Sequence, residues 1–187
     1  MAIKVYIDQG HNPVNPNAGA EGNGLREQDL VYEIGQRLAA LLRANGNFEV
    51  RLSRPTKDTQ LGTSNATSLS ARVQEANAWG ADFFISLHTN ASDSAGASGV
   101  EAFVYSTASR GYPLAVDIVN ALQEETGLYN RGVFPRSGLY VLRRSAMPSV
   151  LVELGFITNP RDARLLSEQP DLFARGVYEG ILRYTGV

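Results

Sequence analysis

The sequence predicts a single α/β domain in which a twisted, mostly parallel sheet of about six strands carries helices on both faces. Apolar runs of strand length alternate with segments whose apolar residues recur at helical spacing, a pattern typical of such domains. Residues 81–87 are almost wholly apolar, as expected of a central strand buried on both faces. The length of 187 residues, with 43% hydrophobic and 19% charged, suits one domain over residues 1–187.

The first half of the chain contains three predicted strands and two predicted helices. The first strand alternates apolar and more polar residues. The first helix ends at Asn45-Gly46, a pair typical of a left-handed helix end. In order, the predicted elements are strand 3–8, a loop rich in Gly, Asn and Pro over 10–24, helix 28–44, strand 48–53, a polar loop over 56–68, helix 69–80 and strand 81–87.

The second half is expected to add three strands and two helices. Gly127 follows the first of these helices, and Pro170-Asp171 opens the last, where apolar residues again recur at helical spacing. The predicted elements are strand 99–105, helix 113–126, the short strands 139–142 and 149–153, and a helix from residue 170 onward.

Composition excludes several function classes. The net charge of −2 leaves no basic stripe for nucleic acid. The absence of cysteine excludes a disulfide framework, a cysteine zinc site and a thiol nucleophile. No stretch reaches the ~18 apolar residues of a membrane span, and residues 1–8 lack the features of a signal peptide. We therefore expect no nucleic-acid partner, no membrane insertion and, since no oligomerisation stripe is visible, a monomer.

Three polar residues directly follow or end predicted apolar strands. His11 follows the first strand, His88 ends the run Phe-Phe-Ile-Ser-Leu-His, and Glu153 ends Val-Leu-Val-Glu. Ligands of open α/β sheets bind beyond the carboxyl ends of the strands. Each residue alone suits a structural role, but both histidines of the chain and a glutamate at one sheet edge indicate a functional site.

Two imidazoles need a third ligand to form a catalytic zinc site, which keeps one position open for water. Glu27, on a glycine-rich approach to the first helix, is the natural candidate. The alternative role for Glu27 is to offset the helix macrodipole as an acidic residue at the N-terminus of the first helix, and Asp29 fills that role equally well. Zinc polarises a carbonyl and lowers the pKa of its bound water to ~7. Hydrolysis then requires a carboxylate that is not a ligand, and Glu153 suits that role.

Five short sequence blocks occur in order along essentially the whole chain. They are Asp8-Gln9-Gly10-His11, Gly24-Leu25-Arg26-Glu27, Leu69-Ser70-Ala71-Arg72 with Ala76-Asn77, Ser86-Leu87-His88-Thr89-Asn90, and Val152-Glu153-Leu154-Gly155-Phe156-Ile157-Thr158-Asn159. In these blocks the sequence resembles the zinc-dependent N-acetylmuramoyl-L-alanine amidases of the amidase 3 family, which includes catalytic domains of bacterial autolysins and phage endolysins. One departure is Asn12-Pro13, where many members have glycines after the first histidine.

The resemblance implies one Zn²⁺ per chain, held by His11, Glu27 and His88, with Glu153 as the catalytic carboxylate. It implies hydrolysis of the peptidoglycan amide between N-acetylmuramic acid and L-alanine of the stem peptide. Such an enzyme acts in the cell wall, outside the cell or in the periplasm. Export would then use an upstream signal, lysis or a holin-type route, and wall targeting would use local arginines or a wall-binding module outside these residues.

Substrate contacts are expected from a basic segment and from one asparagine. Residues 126–152 hold no acidic residue and four arginines: Arg131, Arg136, Arg143 and Arg144. We expect some of them, Arg136 in particular, to bind stem-peptide carboxylates, the alternative being a solvated basic loop. Asn90 is expected to orient substrate or to stabilise a turn.

Two further charged residues are assigned structural roles. We expect Arg72 to bury its stem and pair locally rather than contact substrate. Glu101 is expected to lie on a surface strand, the alternative being that it faces the crevice. Two rival functions stay open: a zinc peptidase that cuts elsewhere in the stem peptide, and a non-catalytic wall-binding module.

Overall fold

We describe the chain from a computed structural model, which covers residues 2–187. Six strands form one sheet in the order β4-β1-β5-β8-β6-β7, and two very short strands, β2 and β3, pair separately. The elements in chain order are β1 (Ile3–Gln9), β2 (Glu21–Gly22), β3 (Leu25–Arg26), α1 (Glu27–Asn45), β4 (Phe48–Leu52), α2 (Asn65–Trp79), β5 (Phe83–Asn90), β6 (Val100–Val104), α3 (Gly111–Thr126), β7 (Asn130–Pro135), α4 (Tyr140–Arg144), β8 (Ser149–Phe156), α5 (Pro160–Glu168) and α6 (Pro170–Thr185).

The central strands of the sheet run in one direction. β4, β1, β5 and β8 are mutually parallel, β6 is antiparallel to β8, and β7 is parallel to β6. The carboxyl ends of β1, β5 and β8 therefore meet at one edge, together with the amino ends of β6 and β7. The predicted six-stranded, mostly parallel sheet is confirmed.

Helices cover both faces of this sheet. The main core packs α1, α3 and α6 against one face, where Val5, Ile7 and Ile85 are fully buried. A smaller core packs α2 and α4 against the other face around Tyr6 and Phe84, whose rings stack at a centroid distance of 5.5 Å. Side chains alternate between the two faces along a strand. His88, four residues after Phe84 in β5, therefore points to the same face as Phe84, the face covered by α2 and α4.

Helices α3 and α6 approach each other closely on the main-core side. A Cβ atom added at Gly180 would lie 2.4 Å from Cα of Ile118, and one at Gly176 would lie 2.9 Å from Cα of Leu122. Both contacts are shorter than van der Waals distance. The two helices therefore pack backbone to backbone because glycine occupies these positions.

The predicted boundaries need several corrections in the second half. Residues 139–142 form no strand: Tyr140–Arg144 is the short helix α4, whose Val141 and Leu142 are buried in the smaller core. Short apolar runs are ambiguous between strand and buried helix. The sixth strand is instead β7, which the sequence analysis missed because it is an edge strand with mixed polarity and little buried surface.

Two helices also differ from the prediction. Helix α5 was missed, although the side chain of Asn159 caps it by accepting from the backbone N–H groups of Arg161 and Asp162. Helix α2 begins within the predicted loop 56–68, because Ser64 and Thr67 form a capping box. Within residues 2–187, no helix has both the length and the apolar character needed to cross a membrane.

Candidate metal and catalytic site

The predicted site residues lie at the carboxyl edge of the sheet, on the face that α2 and α4 cover. β5 and β8 extend past the predicted ends, so His88 and Glu153 lie inside these strands and are direct partners in the register between them. His11 lies two residues beyond the end of β1. The parallel arrangement of β1, β5 and β8 therefore brings these three residues to the same edge, as predicted.

Glu27 lies between the two histidines. Its Oε2 is 3.2 Å from Nε2 of His11, and its Oε1 is 3.1 Å from Nδ1 of His88. The three residues offer one ligand atom each within 4.8 Å of one another. Two imidazoles and one carboxylate are donors that zinc prefers, and three protein ligands leave a position for water. The donor set therefore fits a catalytic zinc ion.

The carboxylate of Glu27 is fixed from both sides by the backbone. The N–H of Ala20 donates to Oε2 and the N–H of Thr89 donates to Oε1, each at 2.9 Å. Burial opposes the ionisation of Glu27, but hydrogen bonds from His11 and His88 outweigh it and hold the pKa of this carboxyl well below its usual range. Glu27 is thus a preorganised anion at the first residue of α1.

The segment that carries His11 has an unusual backbone. A Cβ at Gly10 would lie 2.5 Å from Cε1 of His88, so the backbone passes directly against that ring. His11 itself adopts a left-handed conformation with φ of 67°. Nη2 of Arg72 donates to the carbonyl oxygen of His11 at 2.6 Å, which holds this conformation in place.

A buried ion pair between Arg72 and Asp8 lies close to the candidate metal ligands. Nη1 of Arg72 donates to Oδ1 of Asp8 at 2.6 Å, and Oγ of Ser86 donates to Oδ2 of Asp8 at 2.7 Å. Burial of Asp8 opposes its ionisation, but Arg72 and Ser86 outweigh it and lower its pKa. Arg72 is fully buried and pairs locally, as predicted.

Glu153 has a different environment. Its Oε2 is buried and has no hydrogen-bond partner within the described part of the chain. Burial first, and then the negative charges of Glu27 and Glu101, raise the pKa of Glu153 to about 8. A carboxyl group with this pKa can both accept and release a proton near neutral pH.

Glu101 is buried beside the candidate site, so its predicted surface position is wrong and the alternative, a position facing the site, agrees with the structure. It is only 7% exposed and lies opposite Glu153 in the register between β6 and β8. Nδ2 of Asn90 donates to its Oε1 at 2.6 Å, and Nε of Arg131 donates to its Oε2 at 2.9 Å. The pattern of β6 does not reveal this burial because it depends on the neighbouring strands.

Of the two predicted substrate residues, Asn90 belongs to the hydrogen-bond network of Glu101, and Arg136 contacts Phe103 of the same strand. Asn90 uses its Nδ2 on Glu101, and its Oδ1 accepts from the N–H of Ala91 at 3.0 Å. Arg136 is exposed, and its guanidinium stacks 5.1 Å above the ring of Phe103. The contact of either residue with substrate stays a prediction.

Known proteins match this chain over nearly its whole length. Residues 5–183 match the family described as N-acetylmuramoyl-L-alanine amidase. The N-acetylmuramoyl-L-alanine amidase LytC of Bacillus subtilis (strain 168) is 37% identical, over 96% of this chain and 35% of LytC. The amidase CwlM of Bacillus licheniformis is 34% identical, over 97% of this chain and 68% of CwlM.

A solved structure agrees with these relatives. The N-acetylmuramoyl-L-alanine amidase AmiC2 of Nostoc punctiforme is 33% identical and superposes with a TM-score of 0.86, over 99% of this chain and 98% of that one. This chain thus spans about a third of LytC but nearly all of the AmiC2 structure. From the family match, the relatives and the shared fold, we conclude that the chain belongs to the N-acetylmuramoyl-L-alanine amidase family.

Proposed function

We propose that this chain is a zinc-dependent peptidoglycan amidase that cleaves the bond between N-acetylmuramic acid and L-alanine. The observation that carries this proposal is the convergence of His11, Glu27 and His88 beside Glu153, whose Oε2 has no hydrogen-bond partner among residues 2–187. Membership of the amidase family supports the choice of substrate. The proposed catalytic domain comprises residues 1–187 and acts as a monomer.

In this proposal His11, Glu27 and His88 hold one Zn²⁺. The ion would supply Lewis acidity toward the amide carbonyl and toward a water molecule. The backbone N–H groups of Ala20 and Thr89 keep the Glu27 carboxylate in place for this role. Arg72 supports the same site from below, through the carbonyl of His11.

Glu153 is the proposed general base and general acid. Its carboxylate would take a proton from the attacking water and then deliver it to the leaving nitrogen of L-alanine. The burial that raises its proton affinity makes the carboxylate a stronger base and so favours the first step. A nearby dication would lower the pKa of Glu153 and so favour release of the proton in the second step. The environment of Glu153 therefore suits both halves of the reaction.

The setting of the enzyme is part of the proposal. We infer that it acts on the cell wall outside the cytoplasm, as an autolysin, a sporulation enzyme or an endolysin. Because the chain spans only 35% of LytC, a wall-binding module outside these residues is compatible with this assignment. The low net charge of −2 provides little general attraction to an anionic wall.

Mass spectrometry of digested peptidoglycan tests the proposed reaction. We expect free stem peptides that begin with L-alanine, together with intact glycan strands. Cuts between amino acids would identify a peptidase instead. New reducing ends would identify a glycosidase, and no cleavage by the zinc-loaded chain would leave only a binding function.

A pair of variants tests the proposed roles. Glu153→Gln should retain zinc and lose roughly 10²- to 10⁴-fold in kcat, the usual contribution of a general acid or base. Glu49→Gln, on the exposed side of β4, is the matched control and should leave activity unchanged. Loss of zinc from Glu153→Gln would instead identify Glu153 as a metal ligand.

A further inference from the structure

Arg131 is the one arginine of the basic segment 126–152 that the described structure fixes beside the candidate site by an ion pair. Its Nε donates to Oε2 of Glu101 at 2.9 Å, and its Nη1 donates to the carbonyl oxygen of Ser98 at 3.4 Å. Its guanidinium lies 5.0 Å from the ring centre of Phe156. The position of this guanidinium is therefore set from three directions before any substrate binds.

The anchored guanidinium is linked to the proposed reaction centre through Glu101. Glu101, its ion-pair partner, is directly opposite Glu153 in the antiparallel register of β6 and β8. Side chains opposite each other in such a register start about 5 Å apart. Arg131 is thus connected to the position opposite Glu153 through a single side chain, that of Glu101.

The exposed side of the Arg131 guanidinium keeps hydrogen-bond donors available for a ligand. The side chain of Arg131 is 36% exposed, whereas the side chain of its partner Glu101 is 9% exposed. Nη2 has no hydrogen-bond partner within residues 2–187, and Nη1 makes only the long contact to Ser98. A planar group fixed at Nε, with terminal nitrogens free, suits a second carboxylate.

The other arginines of the segment lack this combination. Arg136 stacks on Phe103, two residues along β6 from Glu101, and no described acidic group pairs with it. Arg143 lines a cavity with Arg110 and Ser149, at the opposite end of β8 from Glu153. Arg144 makes no ion pair within the described residues either. Among the four arginines, an exposed guanidinium is therefore combined with an ion pair to the partner strand of Glu153 at Arg131.

We propose that Arg131 binds a carboxylate of the stem peptide close to the scissile amide and thereby selects substrates that carry this charge. This inference rests on the proposed function. The carboxylate would be the free α-carboxylate of the second stem residue, which lies one residue beyond the L-alanine nitrogen. Amidation of that group would remove the charge that the guanidinium recognises.

The test compares two synthetic muramoyl tripeptides that differ only in whether the second residue carries an α-carboxylate or a carboxamide. We expect the unaltered zinc-loaded chain to prefer the carboxylate by roughly tenfold to a hundredfold in kcat/KM, the range of a charge-assisted hydrogen bond. Arg131→Gln should reduce this preference to about twofold or less. Arg131→Lys, which keeps the charge but not the planar fork, should retain an intermediate preference.

Control variants separate recognition from positioning. Arg164→Gln, at an exposed position of α5, should keep the full preference. A purely structural role of Arg131 through Glu101 predicts an equal loss on both substrates and an unchanged preference, which would overturn the inference. Loss of the preference in Arg136→Gln rather than in Arg131→Gln would also overturn it.

The outcomes also distinguish this inference from the proposed function. Equal cleavage of both tripeptides by the unaltered chain overturns the role of Arg131 and leaves the amidase assignment intact. Release of L-alanyl peptide from neither tripeptide by the folded, zinc-loaded chain overturns the assignment and this inference together. Circular dichroism of each variant shows that the comparison is made on folded protein.

Discussion

Glu101 and Glu153 are neighbours across β6 and β8, yet their carboxyl groups have different hydrogen-bond partners. Glu101 accepts hydrogen bonds from Asn90 and Arg131. The buried Oε2 of Glu153 has no hydrogen-bond partner in the described part of the chain, and burial raises the pKa of Glu153 to about 8. The two carboxyl groups therefore differ in their hydrogen-bond partners, although they lie opposite each other in the sheet. The unpartnered member is the one proposed for proton transfer.

The raised pKa of Glu153 predicts how the stability of the zinc-free chain depends on pH. The pKa is about 8 in the folded state and 4.5 in an ordinary glutamate, so the folded state binds more protons between these values. The free energy of unfolding should therefore fall as pH rises from about 5 to 8, by on the order of 4 kcal/mol at most. Urea unfolding in chelator at pH 5, 6.5 and 8 measures this slope.

Glu153→Gln isolates this contribution, because glutamine does not titrate. Its free energy of unfolding should exceed that of the unaltered chain at pH 8, and the difference should shrink toward pH 5. Glu49→Gln is the exposed control and should keep the original slope. A slope that is unchanged in Glu153→Gln would contradict the raised pKa.

Removal of Arg72 should be costly, because Asp8 would lose its buried counter-charge. We expect Arg72→Met to lower the free energy of unfolding by about 3–5 kcal/mol. Zinc affinity should fall as well, since the carbonyl of His11 loses its donor. Urea unfolding and zinc titration measure the two effects.

The control for this prediction is Arg164→Met on the exposed side of α5, where a change within about 0.5 kcal/mol is expected. Destabilisation of Arg72→Met by less than about 1 kcal/mol would show that Asp8 does not depend on this ion pair.

At the scale of elements, the packing of α3 against α6 overrides helix propensity. In an exposed helix, replacing glycine by alanine would stabilise by about 1 kcal/mol. At Gly180 the added Cβ would lie 2.4 Å from Cα of Ile118. We therefore expect Gly180→Ala to destabilise the chain by about 1–3 kcal/mol, the cost of overpacking a core. Thermal and urea unfolding both report this change.

Gln123→Ala, on the exposed side of α3, is the control and should alter stability by no more than about 0.5 kcal/mol. A stabilised Gly180→Ala variant would mean that α3 and α6 separate without penalty.

At the scale of the whole molecule, the candidate metal site joins three separate parts of the fold. His11 lies in the loop after β1, Glu27 begins α1, and His88 lies in β5. Zinc bound by all three should stabilise the folded chain by about 2.7 kcal/mol when free zinc is a hundred times Kd. Chemical unfolding with zinc and with chelator measures this increment.

His11→Ala should lose most of the zinc-dependent increment, whereas Glu49→Gln should keep it. If zinc stabilises His11→Ala as much as it stabilises the unaltered chain, the ion binds at a different site. The increment should also vanish at low pH, because protonated imidazoles do not bind metal.

Much of this protein follows from local sequence patterns. The alternation of strands and helices, the buried central strand and the placement of His11, His88 and Glu153 near strand ends all reflect the period of apolar residues and short motifs. The blocks that contain Gly10 and Glu27 resemble those of one family, and they bring together residue types that could hold a metal ion. These features depend on residues close together in the chain.

Other features depend on which distant segments become neighbours. Glu101 belongs to the site only because β6 runs antiparallel beside β8, and Arg131 reaches it only because β7, rather than residues 139–142, forms the edge strand. The sequence by itself determined the fold class and the candidate chemistry, since residue type and periodicity encode them. Tertiary structure alone decided the burial of Glu101, the proton affinity of Glu153 and the anchoring of Arg131, because desolvation and charge proximity arise only when the strands assemble.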